Sequence, residues 1–294
     1  MSKVVCFGEV LWDIFPDGSK KIGGAPLNVA LRLNAFGNEV AMISAIGNDE
    51  NGQKLLGYLN SNGLNTSCIQ KKEAYSTGEV TVLLNSKGSA TYKIEHPRAW
   101  DKIELLGKLR SVVAQADALV FGSLIARDSV SRETLYALIK LANYSIFDVN
   151  LRPPNYSKDI LVDLMHKADF IKFNDEELYE IASCLNTEYR GLEQNLMFIA
   201  KKTKTNHICV TKGEHGAVLL YKDKLYYNSG YQIKVKDTVG AGDSFLGTLV
   251  SQLLIDENPQ KAIDIACAVG AMVAESEGAN PKISIEDIYN FMLV

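Results

Sequence analysis

The stretch Asp237-Thr238-Val239-Gly240-Ala241-Gly242-Asp243-Ser244-Phe245 carries the residue types best suited to chemistry. Gly240, Ala241 and Gly242 precede an apolar helical run that continues to about Leu254, and a short apolar strand is predicted before them. A helix that opens on small residues leaves its first N–H groups bare and pointing forward. With the helix dipole, those donors form a site for an anion. Asp243 falls in the first turn, where a carboxylate has two uses. It could cap the helix, or it could sit beside a bound phosphate and take the proton of an attacking hydroxyl.

Other candidates cluster where predicted strands end. Asp13 follows the first strand, Val4–Phe7, on the side where open α/β sheets bind ligands, although an exposed Asp there could be a turn residue. Gly23 and Gly24 could simply make a turn, and Asn28 could simply cap the following helix. Together Asp13, Gly24 and Asn28 would offer a carboxylate, close backbone access and an amide, as a hydroxyl-rich ligand requires. Arg152 leaves another strand in Asp148-Val149-Asn150-Leu151-Arg152-Pro153-Pro154; it could be a surface ion pair, or the prolines could aim it above the sheet. Asn174-Asp175-Glu176-Glu177 reads as a helix N-terminus with an acidic first turn, or as a hydrated Mg²⁺ site. Gly213 and Gly216, after the strand His207–Thr211, could be a hairpin turn. No Walker A loop occurs, and the four histidines lack metal-ligand spacing.

These groups need elements to position them. Apolar runs at Val40–Ile46, Ala118–Phe121, Ser145–Val149, Asp169–Phe173, His207–Thr211 and Ala217–Tyr221 read as strands. Helical periodicity fills Pro26–Phe36, Asp49–Asn60, Ser131–Asn143, Lys158–His166, Asp175–Ala182 and Leu192–Lys202. Such alternation predicts an α/β fold with a mostly parallel sheet covered by helices on both faces. Two segments break the pattern. Ile14–Ile22 and Thr77–His96, the latter around a Ser86–Ser89 turn, read as hairpins of a small separate sheet.

The chain's 294 residues are 47% hydrophobic, enough for a large core, with no linker or repeat that divides them. A net charge of −4 argues against nucleic acid or an anionic membrane as partner, so a polyanionic ligand must meet a local positive site. Five scattered cysteines with no CxxC suggest core thiols in a reducing cytoplasm. The apolar stretch Ile263–Ala274 is too short to span a bilayer.

The stretch Asp237–Phe245 resembles the C-terminal signature of the PfkB (ribokinase-like) carbohydrate kinases, and Gly23-Gly24-Ala25-Pro26-Leu27-Asn28-Val29-Ala30 resembles their N-terminal glycine signature. The paired signatures stand more than 200 residues apart, and the order of elements fits over essentially the whole chain. Gly8-Glu9-Val10-Leu11-Trp12-Asp13 and the Asp148–Arg152 loop look most like the fructokinase branch. The resemblance implies one three-layer kinase domain over 1–294 with a β-sheet lid from about 14–22 and 77–100. It implies ATP-dependent phosphorylation of a sugar, D-fructose before ribose, a nucleoside or 2-keto-3-deoxygluconate; a non-catalytic sensor would not need Asp243. Asp243 would match the family's base, and the Ala241, Gly242 and Asp243 N–H groups of the Gly240-Ala241-Gly242 turn would form the anion hole, with Arg152 a further catalytic candidate from its own loop. Asp13, Gly23, Gly24 and Asn28 would hold the sugar. Asn174 and Glu177 match the NxxE motif that organises Mg²⁺ through water, while Thr211, Gly213 and Gly216 would lie along ATP. A K⁺ site would map onto Asp237 with carbonyls of Val239, Val273, Ser276 and Gly278. The outer face of the small sheet, if apolar, would favour a homodimer through the lid.

Overall fold

The computed structural model describes residues 1–84 and 90–293; the predicted Ser86–Ser89 turn lies outside them. The first half contains β1 (Lys3–Phe7), β2 (Leu11–Ile14), β3 (Lys20–Gly23), α1 (Ala25–Ala35), β4 (Glu39–Gly47), α2 (Glu50–Ser61), β5 (Ile69–Lys72), β6 (Gly78–Leu84), β7 (Ala90–Ile94), α3 (Gly107–Ala114), β8 (Ala118–Gly122), α4 (Ser129–Ile139) and β9 (Ser145–Asp148). The second half adds α5 (Lys158–Lys167), β10 (Phe170–Asn174), α6 (Asp175–Cys184), α7 (Leu192–Thr203), β11 (His207–Thr211), β12 (Ala217–Tyr221), β13 (Lys224–Asn228), α8 (Ala241–Leu254), α9 (Pro259–Ala274) and α10 (Ile285–Met292).

Nine strands form the large sheet, in the order β13-β12-β11-β10-β9-β8-β1-β4-β5. All neighbours from β5 to β11 run parallel, while β12 and β13 are antiparallel additions at one edge. Alternation along each buried strand builds two cores. Val5 and Phe7 of β1 face α3 to α7, and Val4 and Cys6 face α1, α2, α8 and α9. The strand order reverses at β1, which stays paired with β8 through Phe7 and Phe121, so connections leaving the two strands run to opposite sides and leave a crevice beyond their carboxyl ends.

The second sheet has the order β3-β2-β6-β7. It arises from the two hairpins predicted from sequence, and the parallel pairing of β2 with β6 joins them. Asp49, the N-cap of α2, ties this sheet to the body: it accepts from the Thr77 N–H at 2.8 Å and the Thr77 hydroxyl at 2.6 Å.

The sequence reading departs from the fold in a few places. The strand predicted just before Gly240 is absent. Instead the chain from Tyr231 to Lys236 is irregular, and the Lys236 and Asp237 N–H groups both donate to the Ala274 carbonyl. Polar β5 (IQKK) and β13 (KLYYN) lacked the apolar signature of a buried strand because both lie at sheet edges. Gly213–Gly216 does close a hairpin, between β11 and β12.

Candidate active site

Gly240 makes the start of α8 possible. It takes φ +76°, and a Cβ there would collide with Ala279. The first helical bond runs from the Ser244 N–H to the Gly240 carbonyl at 2.8 Å. The Ala241 N–H bends back to the Thr238 carbonyl at 3.2 Å. That leaves the Gly242 and Asp243 N–H groups as first-turn donors with no intrahelical acceptor. The expected three-donor hole therefore has two ready donors.

The Asp243 side chain does not cap α8. Its Oδ2 accepts from Nδ2 of Asn28 at 2.8 Å, across 215 residues of chain. Asn28, in α1, does not cap its own helix either. Its Oδ1 accepts from Nδ2 of Asn280 at 2.8 Å, which fixes the amide's orientation. One N–H and one lone pair of Asn28 remain for a ligand. Burial, helped by the Asp148 charge, pushes the Asp243 carboxyl up to about 6, against the Asn28 hydrogen bond and the Lys172 and Arg152 charges.

Asp13 lies on β2, opposite Lys21 of β3 and Val80 of β6. Its carboxylate overlies Gly23, where a Cβ would collide with Oδ2. Burial raises the Asp13 carboxyl to about 6. Gly24 holds φ +116°, and a Cβ there would strike the Glu9 carbonyl. The glycine pair is thus a packing requirement of the strand end. It brings Glu9, Asp13 and α1 together.

Glu9 itself escaped the sequence reading. It is 4% exposed, its Oε2 is buried without a hydrogen-bond partner among the described residues, and burial raises its carboxyl to about 7. The Arg152 charge acts on Glu9, Asp13 and Asp243 alike, so the guanidinium belongs to this cluster. Its Nη1 donates to the Leu151 carbonyl at 2.9 Å.

Asn174 and Glu177 form a reciprocal cap of α6. The Glu177 N–H donates to Oδ1 of Asn174 at 2.7 Å, and Oε2 of Glu177 accepts from the Asn174 N–H at 2.8 Å. Oε1 of Glu177 also accepts from the Leu151 N–H at 2.8 Å, which pins the Arg152 loop to α6. The capping reading of this motif is therefore realised. Thr211, Gly213 and Gly216 lie farther along the same edge, with Thr211 Oγ1 donating to the Phe173 carbonyl at 3.4 Å. Behind α8, Asp237 accepts from the Val239 N–H at 3.0 Å and the Gly278 N–H at 3.2 Å. Ser276 turns its hydroxyl to the Met272 carbonyl at 2.9 Å, while the Val273 carbonyl receives the Ser276 N–H at 2.9 Å.

A profile of the pfkB family carbohydrate kinases matches residues 1–286. Probable fructokinase-3 of Arabidopsis thaliana is 27% identical over 310 residues, spanning 95% of this chain and 88% of that protein. A double-mutant fructokinase from Vibrio cholerae O395, in a fructose, ADP and potassium ion bound form, superposes with a TM-score of 0.86 at 25% identity, covering 99% of this chain and 98% of that one. The 2-dehydro-3-deoxygluconokinase of Thermotoga maritima shares the fold at full coverage of both chains, with a TM-score of 0.87 and 20% identity. With both signatures in place and the match running through nearly all of its length, the chain belongs to the pfkB family of carbohydrate kinases and is a fructokinase-like sugar kinase.

Proposed function

We propose that this chain moves the γ-phosphoryl group of ATP to a hydroxyl of D-fructose and makes fructose 6-phosphate. The observation that supports this reading best is Asp243, oriented by Asn28 and set beside two unspent N–H donors at the start of α8. In the transfer, the sugar oxygen bonds to the γ-phosphorus as the bond to the ADP oxygen breaks. The hydroxyl proton goes to Asp243, and the Gly242 and Asp243 N–H groups meet the charge on the phosphoryl oxygens. Asp13, Gly24 and Asn28 hold the sugar, with Arg152 balancing the acidic cluster. Thr211, Gly213 and Gly216 run along the nucleotide.

Mg²⁺, when bound, would neutralise phosphate charge. Glu177 keeps lone pairs for metal-bound water beyond its two backbone bonds, so Asn174 and Glu177 fit an outer-shell role. The four-stranded sheet would act as a lid that excludes water and so limits hydrolysis of ATP. The reading is tested by ATP turnover across D-fructose, D-ribose, a nucleoside and 2-keto-3-deoxygluconate. D-Fructose should give the highest kcat/KM, and a higher value for another sugar reassigns the substrate. No turnover with any of them overturns the catalytic reading and leaves a sensor.

The oxygen-only donor set around Asp237 suits a hard cation such as K⁺. Held behind α8, that ion would steady the loop that presents the anion hole. Turnover should rise several-fold when K⁺ replaces tetramethylammonium at constant ionic strength. An unchanged rate would show that the loop stands without it.

A further inference from the structure

Strand β10 reads Phe170-Ile171-Lys172-Phe173-Asn174, a lysine within an apolar run. Alternation puts Phe170 and Lys172 on the face that packs against α8 and α9, while Ile171 and Phe173 enter the other core. The parallel register sets Lys172 opposite Asp148 of β9. Nζ of Lys172 lies 3.0 Å from Oδ1 of Asp148, and the two side chains are 7% and 5% exposed. Such a pair is a poor device for stability, since apolar side chains of similar volume do as well or better.

The surroundings of the pair point to a ligand instead. The Lys172 ammonium lies 3.5 Å from the position a Cβ would take on Gly242, so it sits beneath the first turn of α8. Burial alone would lower its pKa, but the charges of Asp148, Glu177 and Asp243 outweigh that and hold it above the ordinary lysine value. Oδ2 of Asp148 is buried and has no hydrogen-bond partner among the described residues. A cation next to a helix N-terminus is unfavourable by itself, because both are positive. Asp148 compensates the ammonium from below at 3.0 Å, and an anion at the point that Lys172 shares with the start of α8 would be attracted by both. With an overall net charge of −4, the chain needs such a local positive site to receive a polyanion.

We infer that Lys172, fixed by Asp148, supplies a buried positive charge that acts with the Gly242 and Asp243 N–H groups on the phosphoryl group in flight. The inference rests on the proposed placement of that group at the start of α8. Lys172 keeps its proton throughout; its contribution is charge, set in place before the reaction and shielded from water, where it costs no reorganisation.

The test is Lys172→Met, which keeps length and bulk without charge. Its kcat with D-fructose should fall about 10²-fold, the usual effect of losing one preorganised charge-stabilising group. KM for both substrates should change little. Binding of ADP with aluminium fluoride and D-fructose should weaken by about the same factor as kcat, while ADP alone binds as it does to the wild type. The variant leaves Asp148 unpaired, so Lys172→Met/Asp148→Asn is measured beside it. That double variant should regain the wild-type Tm and stay slow. A kcat within about threefold of wild type in either folded variant would show that the pair serves structure alone. Wild-type turnover in the same assay separates the two ideas. An inactive wild type sinks the kinase placement and this inference with it, whereas an active wild type with an active Lys172→Met sinks the inference alone.

Discussion

Asp243→Asn should lower kcat by roughly 10²–10⁴-fold, the usual range for a positioned general base, while ATP binding stays close to wild type. Asparagine keeps the shape and can still meet the Asn28 amide through its oxygen, but it cannot take the hydroxyl proton. The geometry separates this outcome from a capping role. The Asp243 side chain makes no cap bond to α8 and is held instead by a residue of α1. If Asp243 were only a cap, the variant would lose up to about 1 kcal/mol of stability and turn over normally. A normal kcat in the folded variant would sink the proposed mechanism.

Stability adds a second readout with a definite sign. Asp243 titrates near 6 in the folded chain, above the 3.8 of an unperturbed aspartate, because burial and Asp148 disfavour its charge. Between those values the folded state holds a proton that the unfolded state has released. Stability therefore falls as pH rises from about 4 to about 6 and levels off above. At pH 7.5 the ionised carboxylate costs on the order of 1–3 kcal/mol, so Asp243→Asn should keep or raise Tm there. For the wild type, the same titration should give kcat an acid limb near pH 6, since the protonated carboxyl cannot act as base. A fall in Tm together with a flat acid limb would mean that Asp243 stabilises the fold by its charge.

The parts of this site legible in the sequence were those with a local signature. Small residues before an apolar run announced Gly240 and α8, and paired glycines before a proline announced α1. What those glycines accommodate was not legible, because Ala279 and Glu9 approach from elsewhere in the chain. The Asn28–Asp243 and Asn28–Asn280 bonds span 215 and 252 residues, and no local period reports such contacts. Lys172 was read as part of an apolar strand; only the register with Asp148 shows it to be a placed charge. A lysine inside a strand predicted to be buried on both faces was the signal available, since burial of an ammonium demands a partner. Edge strands β5 and β13 were missed for the opposite reason: they are half in water, so their sequence carries no apolar run.

Asp13→Ala should raise KM for the sugar by about 10²-fold, leave KM for ATP within about twofold, and lower kcat by less than tenfold. The magnitude follows from two hydrogen bonds between sugar hydroxyls and a charged acceptor, each contributing about 1.5 kcal/mol. The split follows from position. Asp13 stands on the small sheet at the end of β2, whereas Thr211, Gly213 and Gly216 lie on the far side of the β1–β8 crevice. An independent variant reaches the same carboxylate without altering its chemistry. A Cβ at Gly23 would collide with Oδ2 of Asp13, and Gly23 has no positive φ to strain. Gly23→Ala should therefore push the Asp13 carboxylate off its place and reproduce the sugar defect with the acid still present. The Asp13→Ala/Gly23→Ala double variant should be no worse than Asp13→Ala alone, because both lesions remove one interaction. Full additivity would mean that Gly23 contacts the sugar in its own right. Equal loss of affinity for sugar and ATP in Asp13→Ala would move Asp13 out of the sugar site altogether.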